Sequence, residues 1–499
     1  MTEPRAPQPA VPPPGDWSPE EFRAAGHAAV EWVARYLAEV ERFPVLAQVA
    51  PGDIRRRLPP GPPAQPEPFS RMLEDLDEIV IPGVTHWNHP GFFAYFGITA
   101  SGPGILGELI ASALNTNGML WRSSPSTTEL EQVVLDWLRQ MLGLPSGLFG
   151  ILTDTASVST LVALAAAREA VPEVPVREQG LAAPGSPRLR CYTSQEAHSS
   201  VEKAAITVGL GQAGLRKIPT DAEFRMDVAA LRSAVREDRA AGWRPFAVSA
   251  TVGTTSTTSV DPVPEIASVC EEEGLWLHVD AAYAGSSAIL PECRWCLDGC
   301  ERADSLVVNP HKWLFTPIDA SALYTRRPEI LRRAFQLVPD YLQSSEGEAA
   351  VNLMDYGVQM GRRFRALKLW FVFRAFGVEG LRRRLAEHCR LGRLFAGWVD
   401  ADPRFQRTAP TPFSTVCFRA VWPDRNEEET DRANERLLER VNAAGKVFLS
   451  HTRLRGRYTL RLAIGNLRTR ERHVRLAWDC LCAEREALDQ TPAGGAPAS

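Results

Sequence analysis

At 499 residues the chain is longer than a single hydrophobic core ordinarily supports, so a large domain with smaller ones attached is expected. With 44% hydrophobic and 23% charged residues and a formal charge of -4, it has an ordinary globular composition and no positive field to grip nucleic acid. No apolar run of membrane-spanning length and no basic-then-apolar leader stands out, and nine scattered cysteines read as reduced thiols, so a cytoplasmic protein is expected.

Residues 1–16, rich in Pro and Ala, are expected to form a disordered tail. Ser18 followed by Glu21 makes a capping-box pattern, which predicts a helix carrying Val30, Trp32, Val33, Tyr36 and Leu37. A Pro-rich connector covers 59–68, helical spacing returns over 69–80, and 17–100 is assigned to an N-terminal helical segment. Gly102-Pro103-Gly104-Ile105-Leu106-Gly107 then satisfies the G-x-G-x-x-G pattern, which would suggest a nicotinamide-dependent oxidoreductase. A true fingerprint opens a strand-helix-strand unit and is answered by an acidic residue about 20 positions on. Pro103 and the helical pattern after Gly104 predict instead a helix start packed against its neighbours.

Through 101–380 short apolar runs alternate with helical patterns, the mark of a mainly parallel sheet covered by helices. The clearest strands are 246–251, 275–280 and 305–309. Open α/β sheets bind ligands at the carboxyl ends of their strands, which directs the chemistry to 253–255, 280–285 and 309–312. Cys293, Cys296 and Cys300 lack a second pair or nearby histidines and read as buried thiols, so no metal site is expected. After a long helix around 364–376, residues 381–488 read as a small C-terminal α+β domain and 489–499 as a second disordered tail.

Ser305-Leu306-Val307-Val308-Asn309-Pro310-His311-Lys312-Trp313 is an apolar strand that stops at Asn-Pro and presents an amine at its end. A buried, neutral lysine amine can form an imine; the plainer reading makes Lys312 a solvated lysine and His311 a turn residue. Context comes from Trp276-Leu277-His278-Val279-Asp280-Ala281-Ala282-Tyr283-Ala284-Gly285, an apolar strand closed by an aspartate and then by small residues. A buried carboxylate needs a cationic partner, and a protonated pyridine nitrogen is one; the plainer reading makes Asp280 a helix cap.

These two stretches resemble the group II pyridoxal-phosphate decarboxylases, in particular the aromatic-L-amino-acid decarboxylases, and the resemblance runs over about 22–478. It also rests on Pro82-Gly83-Val84-Thr85-His86-Trp87, Phe92-Phe93-Ala94-Tyr95-Phe96, Ala197-His198-Ser199-Ser200-Val201-Glu202 and Gly361-Arg362-Arg363-Phe364-Arg365. It implies an α/β chain of fold type I, a homodimer built partly through the N-terminal segment with active sites at the interface, and pyridoxal 5'-phosphate as cofactor. The implied reaction turns an L-aromatic amino acid into an arylalkylamine and carbon dioxide through an external aldimine. Lys312 is implied as the Schiff-base lysine, Asp280 as partner of the pyridine nitrogen, and His198 as a group stacked on the ring beside the substrate. Thr155, Ala156, Ser157, Thr255, Ala282, Asn309 and His311 fall around the cofactor, while Trp87, Phe96, Ile98, Asn117 and Met119 fall, with His198, around the substrate.

Three places refine this expectation. Thr153-Asp154-Thr155-Ala156-Ser157-Val158 departs from the family's phosphate loop, and since an aspartate beside a phosphate is unfavourable, Asp154 is expected to point away. Ile98 replaces a threonine, Asn117 and Met119 replace apolar or aromatic residues, and Val358-Gln359-Met360 matches neither the indole-associated nor the phenol-associated residue of plant relatives. The particular amino acid is therefore open, with a non-aromatic substrate as an alternative. Tyr341 lies in Pro339-Asp340-Tyr341-Leu342-Gln343-Ser344-Ser345-Glu346-Gly347, read as a loop from its polar and small residues. The resemblance implies that this loop closes over the neighbouring subunit's site and that its tyrosine supplies a proton, whereas phenylalanine there would mark an aromatic aldehyde synthase. A catalytically dead relative acting only as a partner is disfavoured because Lys312, Asp280, His198 and Tyr341 are all present.

Overall fold

A computed structural model of the chain describes residues 15–337 and 350–490, and the chain divides into two compact units, 1–86 and 87–499. The first unit is helical. Ser18 Oγ accepts the Glu21 amide at 3.2 Å and the Glu21 carboxylate accepts the Ser18 amide at 2.7 Å, so the capping box forms and opens the helix Pro19–Glu39. Trp32 Nε1 and Arg35 both donate to the Asp77 carboxylate, and the Tyr36 hydroxyl lies 2.9 Å from His86 Nδ1, which ties that helix to the end of the unit.

The second unit contains two sheets. The larger is built from β2 (Phe149–Thr153), β3 (Arg188–Ser194), β4 (Leu215–Ile218), β5 (Trp243–Thr251), β6 (Trp276–Asp280), β7 (Ser305–Val308) and β8 (Ser321–Thr325). Its order is β2-β8-β7-β6-β5-β3-β4, and β8 alone runs against the others. Every residue of β6 and β7 is buried, because helices cover both faces and leave no solvated side to impose alternation. One face packs Val248, Val279 and Leu306 with Leu135 and Leu138 of the helix Pro125–Leu142. The other packs Ala247 and Leu323 with Val162 and Ala166 of the helix Ala156–Glu169.

The smaller sheet, ordered β1-β11-β12-β10-β9, has its own core of Phe395, Val416, Phe418, Leu460 and Trp478. Its strands are β1 (Phe92–Phe93), β9 (Phe405–Arg407), β10 (Thr415–Ala420), β11 (Phe448–Leu454) and β12 (Arg457–Ala463). Residues 92–93, grouped with the N-terminal segment on sequence, thus pair with β11, Phe92 opposite Phe448. A two-residue strand is too short to show a period-2 pattern, and its partner lies over 350 residues away. The helix Arg365–Ala401, broken at Gly377 with φ 61, crosses the expected boundary at 380 and feeds both cores, through Leu369 and Val372 and then through Leu391 and Phe395.

The G-x-G-x-x-G stretch opens the helix Gly102–Leu114 behind Ser101. A side chain at Gly104 would strike Pro317, and one at Gly107 would come within 2.7 Å of Lys368 Cα, so these glycines serve close packing. Cys293, Cys296 and Cys300 are buried free thiols. Among the described residues no helix is long and apolar enough to cross a membrane, and no cluster of three His, Cys, Asp or Glu could hold a metal ion.

Candidate active site

Parallel register sets the ends of β5, β6 and β7 side by side, with Thr251 opposite Asp280 and Asp280 opposite Val307. Past β5 the chain turns at Gly253, whose φ of +90° and 2.5 Å clearance from Ala284 Cβ exclude a side chain. Past β7 the short helix Pro310–Trp313 carries Lys312. These ends enclose a cavity of about 200 Å³ lined by Phe96, Thr155, Ala156, Ser157, His198, Thr251, Gly253, Thr255, Asp280, Ala282, Tyr283, Asn309, His311 and Lys312.

Burial lowers the Lys312 pKa and the nearby Asp280 carboxylate opposes the shift. Its Nζ stands 5.4 Å from the centre of the Phe96 ring. Phe96 stacks on Tyr283 at 3.8 Å and Tyr283 on Trp313 at 4.8 Å, which stiffens this wall. Asp280 is 5% exposed and accepts the Ala282 amide at 3.1 Å.

His198 is the N-cap of the helix Ser199–Thr207, where its Nδ1 accepts the Ser200 amide at 3.1 Å. That bond leaves the proton on Nε2, and burial, followed by the neighbouring Lys312 charge, pulls the imidazole pKa down. His311 Nδ1 accepts the Ala320 amide at 3.0 Å, and burial pushes this imidazole down to about 4. Both rings are therefore neutral at pH 7.

Thr155 stands at the N-cap of the helix Ala156–Glu169 without a side-chain cap bond, and the dipole of that helix favours an anion at its start. Asp154 is not among the residues that line the cavity, though it holds both the amide and the hydroxyl of Thr155, which does. One of its carboxylate oxygens accepts the Thr155 amide at 2.7 Å and the other accepts Gln359 Nε2 at 3.2 Å. Two buried atoms of the lining, Thr251 Oγ1 and Asn309 Oδ1, have no hydrogen-bond partner and are free to meet a ligand. The cavity thus offers a buried amine whose protonated form burial disfavours, a buried carboxylate, an anion cradle and an aromatic wall.

The model of the pyridoxal-dependent decarboxylase conserved domain matches residues 51–421. The chain belongs to the pyridoxal-dependent decarboxylases. It is 43% identical over 476 residues to the aromatic-L-amino-acid decarboxylase of Sus scrofa, covering 92% of this chain and 95% of that one. Its structure is similar to the Oryza sativa TDC with PLP and tryptamine at a TM-score of 0.91 and 39% identity, covering 97% and 100% of the two chains. It is also similar to the Rhodiola rosea 4-hydroxyphenylacetaldehyde synthase at 0.88 and 34%, covering 94% and 99%. The fold is type I, and the cofactor is pyridoxal phosphate, to which the donor set of the cavity is suited.

In this decarboxylase the structure gathers around one cavity all ten positions expected at the cofactor: Thr155, Ala156, Ser157, His198, Thr255, Asp280, Ala282, Asn309, His311 and Lys312. Of those expected at the substrate, Phe96 and His198 line it, whereas Trp87, Ile98, Asn117 and Met119 stand outside the lining. Trp87 stacks on Phe92 at 4.3 Å. Asn117 is exposed, with Oδ1 accepting the Arg362 amide at 2.9 Å and Nδ2 3.5 Å from Met119 Sδ. Tyr341 lies outside the described residues. Thr251, Gly253 and Tyr283 join the lining without having been singled out for a role. Gly253 and Tyr283 fall within the strand-end stretches expected to carry the chemistry, while Thr251 had only its place at the end of an apolar run as a signal.

Proposed function

We propose that this decarboxylase acts on an L-aromatic amino acid and releases carbon dioxide and the arylalkylamine. The observation that carries the reading is the convergence of the Lys312 amine, the Asp280 carboxylate and the His198 imidazole on a cavity walled by Phe96. The Sus scrofa relative and the tryptamine-bound Oryza sativa structure support an aromatic side chain. Bound pyridoxal phosphate supplies an electron sink for the bond broken at the substrate's α-carbon. Lys312 would anchor it through its buried amine, Asp280 would hold a proton on the ring nitrogen, and Thr155, Ser157 and the first amides of their helix would take the phosphate. His198, its Nδ1 engaged by the Ser200 amide, keeps Nε2–H as a donor for positioning ring and substrate. Ala282 and Asn309, which line the cavity, would border the ring, and Thr255 and His311 would complete its surroundings.

The other residues expected at the substrate, Trp87, Ile98, Asn117 and Met119, would belong to a pocket completed across a homodimer. Leu106, Leu109, Ile110 and Leu114 support that assembly, since they leave an apolar stripe 41–54% exposed on one helix. Nine free thiols fit a reducing compartment, the cytoplasm. Tyr341 is assigned the proton delivered to the α-carbon once carbon dioxide has left; a phenol can donate it in a closed site and be reset by solvent. Incubation with a panel of amino acids and mass spectrometry of the products tests the substrate class: aromatic amines are expected, and amines from acidic or aliphatic substrates alone would overturn it. Tyr341→Phe is expected to keep carbon dioxide release while losing most amine, consuming oxygen and water to give aldehyde, ammonia and hydrogen peroxide. Amine at the parent rate without oxygen uptake would remove Tyr341 from the mechanism.

A further inference from the structure

Between β2 and the helix Ala156–Glu169, Asp154 sets a carboxylate directly beside Thr155, which lines the catalytic cavity. Three neutral donors hold it. One oxygen accepts the Thr155 amide at 2.7 Å and the Thr155 hydroxyl at 3.3 Å, and the other accepts Gln359 Nε2 at 3.2 Å. Among the described residues Asp154 makes no ion pair, so hydrogen bonds alone carry its charge.

The backbone of this turn is fixed from beneath. Arg362, buried against Glu131, donates to the Leu152 carbonyl at 2.9 Å, and Thr153 Oγ1 lies 2.7 Å from Ser159 Oγ. The Val158 and Ser159 amides both donate to the Thr155 carbonyl, at 3.1 and 3.0 Å. What remains to move is the Asp154 side chain. The start of a helix favours an anion through its dipole, and here the chain supplies one of its own. An amide and a hydroxyl carry one hydrogen each, so Thr155 cannot give both to Asp154 and to a phosphate at the same time.

We propose that the Asp154 carboxylate is a built-in competitor of the cofactor's phosphate: it occupies the Thr155 donors, Gln359 holds it there, and cofactor binding requires its release. The inference rests on the assignment of the phosphate to Thr155 and Ser157 proposed above. The apparent affinity for the cofactor is then reduced by the fraction of molecules in which Asp154 still holds Thr155, and like charge opposes a dianion beside the carboxylate. The share of loaded enzyme therefore follows the surrounding concentration of pyridoxal phosphate.

Equilibrium dialysis of the full-length holoenzyme at graded concentrations of pyridoxal phosphate is the test, with pyridoxal, which lacks the phosphate, as comparison. Asp154→Asn keeps the shape of the side chain and removes its charge. It is expected to hold pyridoxal phosphate about tenfold more tightly and pyridoxal as before, since a hydrogen bond to a charged acceptor is about twice as strong as one to a neutral acceptor. Gln359→Leu should tighten pyridoxal phosphate by about threefold, and should do nothing once Asp154→Gly has removed the carboxylate. Binding of pyridoxal phosphate by Asp154→Asn at or below the parent affinity would overturn the proposal, and so would an equal gain for pyridoxal. Thr155→Val and Ser157→Ala probe the underlying assignment separately. Both should weaken pyridoxal phosphate and spare pyridoxal; unchanged binding in both would take the phosphate away from this turn and overturn the assignment together with the competition built on it.

Discussion

Lys312 draws its chemistry from its surroundings: burial disfavours the ammonium, and Asp280 limits the shift so that the amine is not wholly indifferent to protons. Lys312→Ala removes both the anchor and a proton-handling amine. Turnover is expected to vanish together with the visible absorbance of the bound cofactor, as read from the spectrum of the purified variant; a retained band with full activity would put the anchor elsewhere. Residues of this kind were legible because a polar group that ends an apolar strand needs a reason, and Lys312 and Asp280 both had one in the same chemistry. Trp87, Ile98, Asn117 and Met119 were less accessible to that logic. A side chain's reach into a pocket depends on tertiary placement, and Asn117, engaged with the Arg362 amide, stands outside the lining of the cavity in a single chain.

Among the elements, the strands that carry the site appeared in the sequence nearly as they stand, 246–251 within β5 and 275–280 almost coincident with β6, because burial on both faces leaves continuous apolar runs. The turn after β5 depends on one residue. Gly253→Ala would force a methyl against Ala284 at positive φ, and a loss of about 1–3 kcal/mol is expected, measured as the urea midpoint. Cofactor retention should fall with it, since Gly253 borders the cavity; an unshifted midpoint would show that the turn relaxes freely. Legibility failed for Phe92–Phe93, whose pairing with β11 is decided by residues far along the chain. It failed also at 380, where one broken helix serves two cores and composition gives no boundary.

For the molecule as a whole, acid is the expected weakness. Unfolded imidazoles take up protons near pH 6.5, whereas burial holds His278, His311 and His388 down at about 4. Below pH 6.5 the unfolded chain therefore binds more protons than the folded one, and stability present above that pH is lost progressively as pH falls towards 4. His388 is fixed as a neutral ring, its Nδ1 accepting Trp313 Nε1 at 3.0 Å and its Nε2 donating to the Asn466 carbonyl at 3.0 Å. His388→Gln should thus make the dependence of the urea midpoint on pH shallower by about one proton, and an unchanged slope would acquit this residue. The thiols give a second handle on the same equilibrium. Seven are buried, while Cys480 and Cys482 on the last helix are half-buried. Under iodoacetamide in native buffer the latter pair should be labelled first, by fraying alone, and early labelling of Cys191 or Cys270 would contradict this order. The cysteines then act as a chemical clock. Cys417 lies in the small sheet and Cys191 in the large one, so simultaneous capture of both peptides would reveal one cooperative opening, and staggered capture would reveal that the decarboxylase comes apart sheet by sheet.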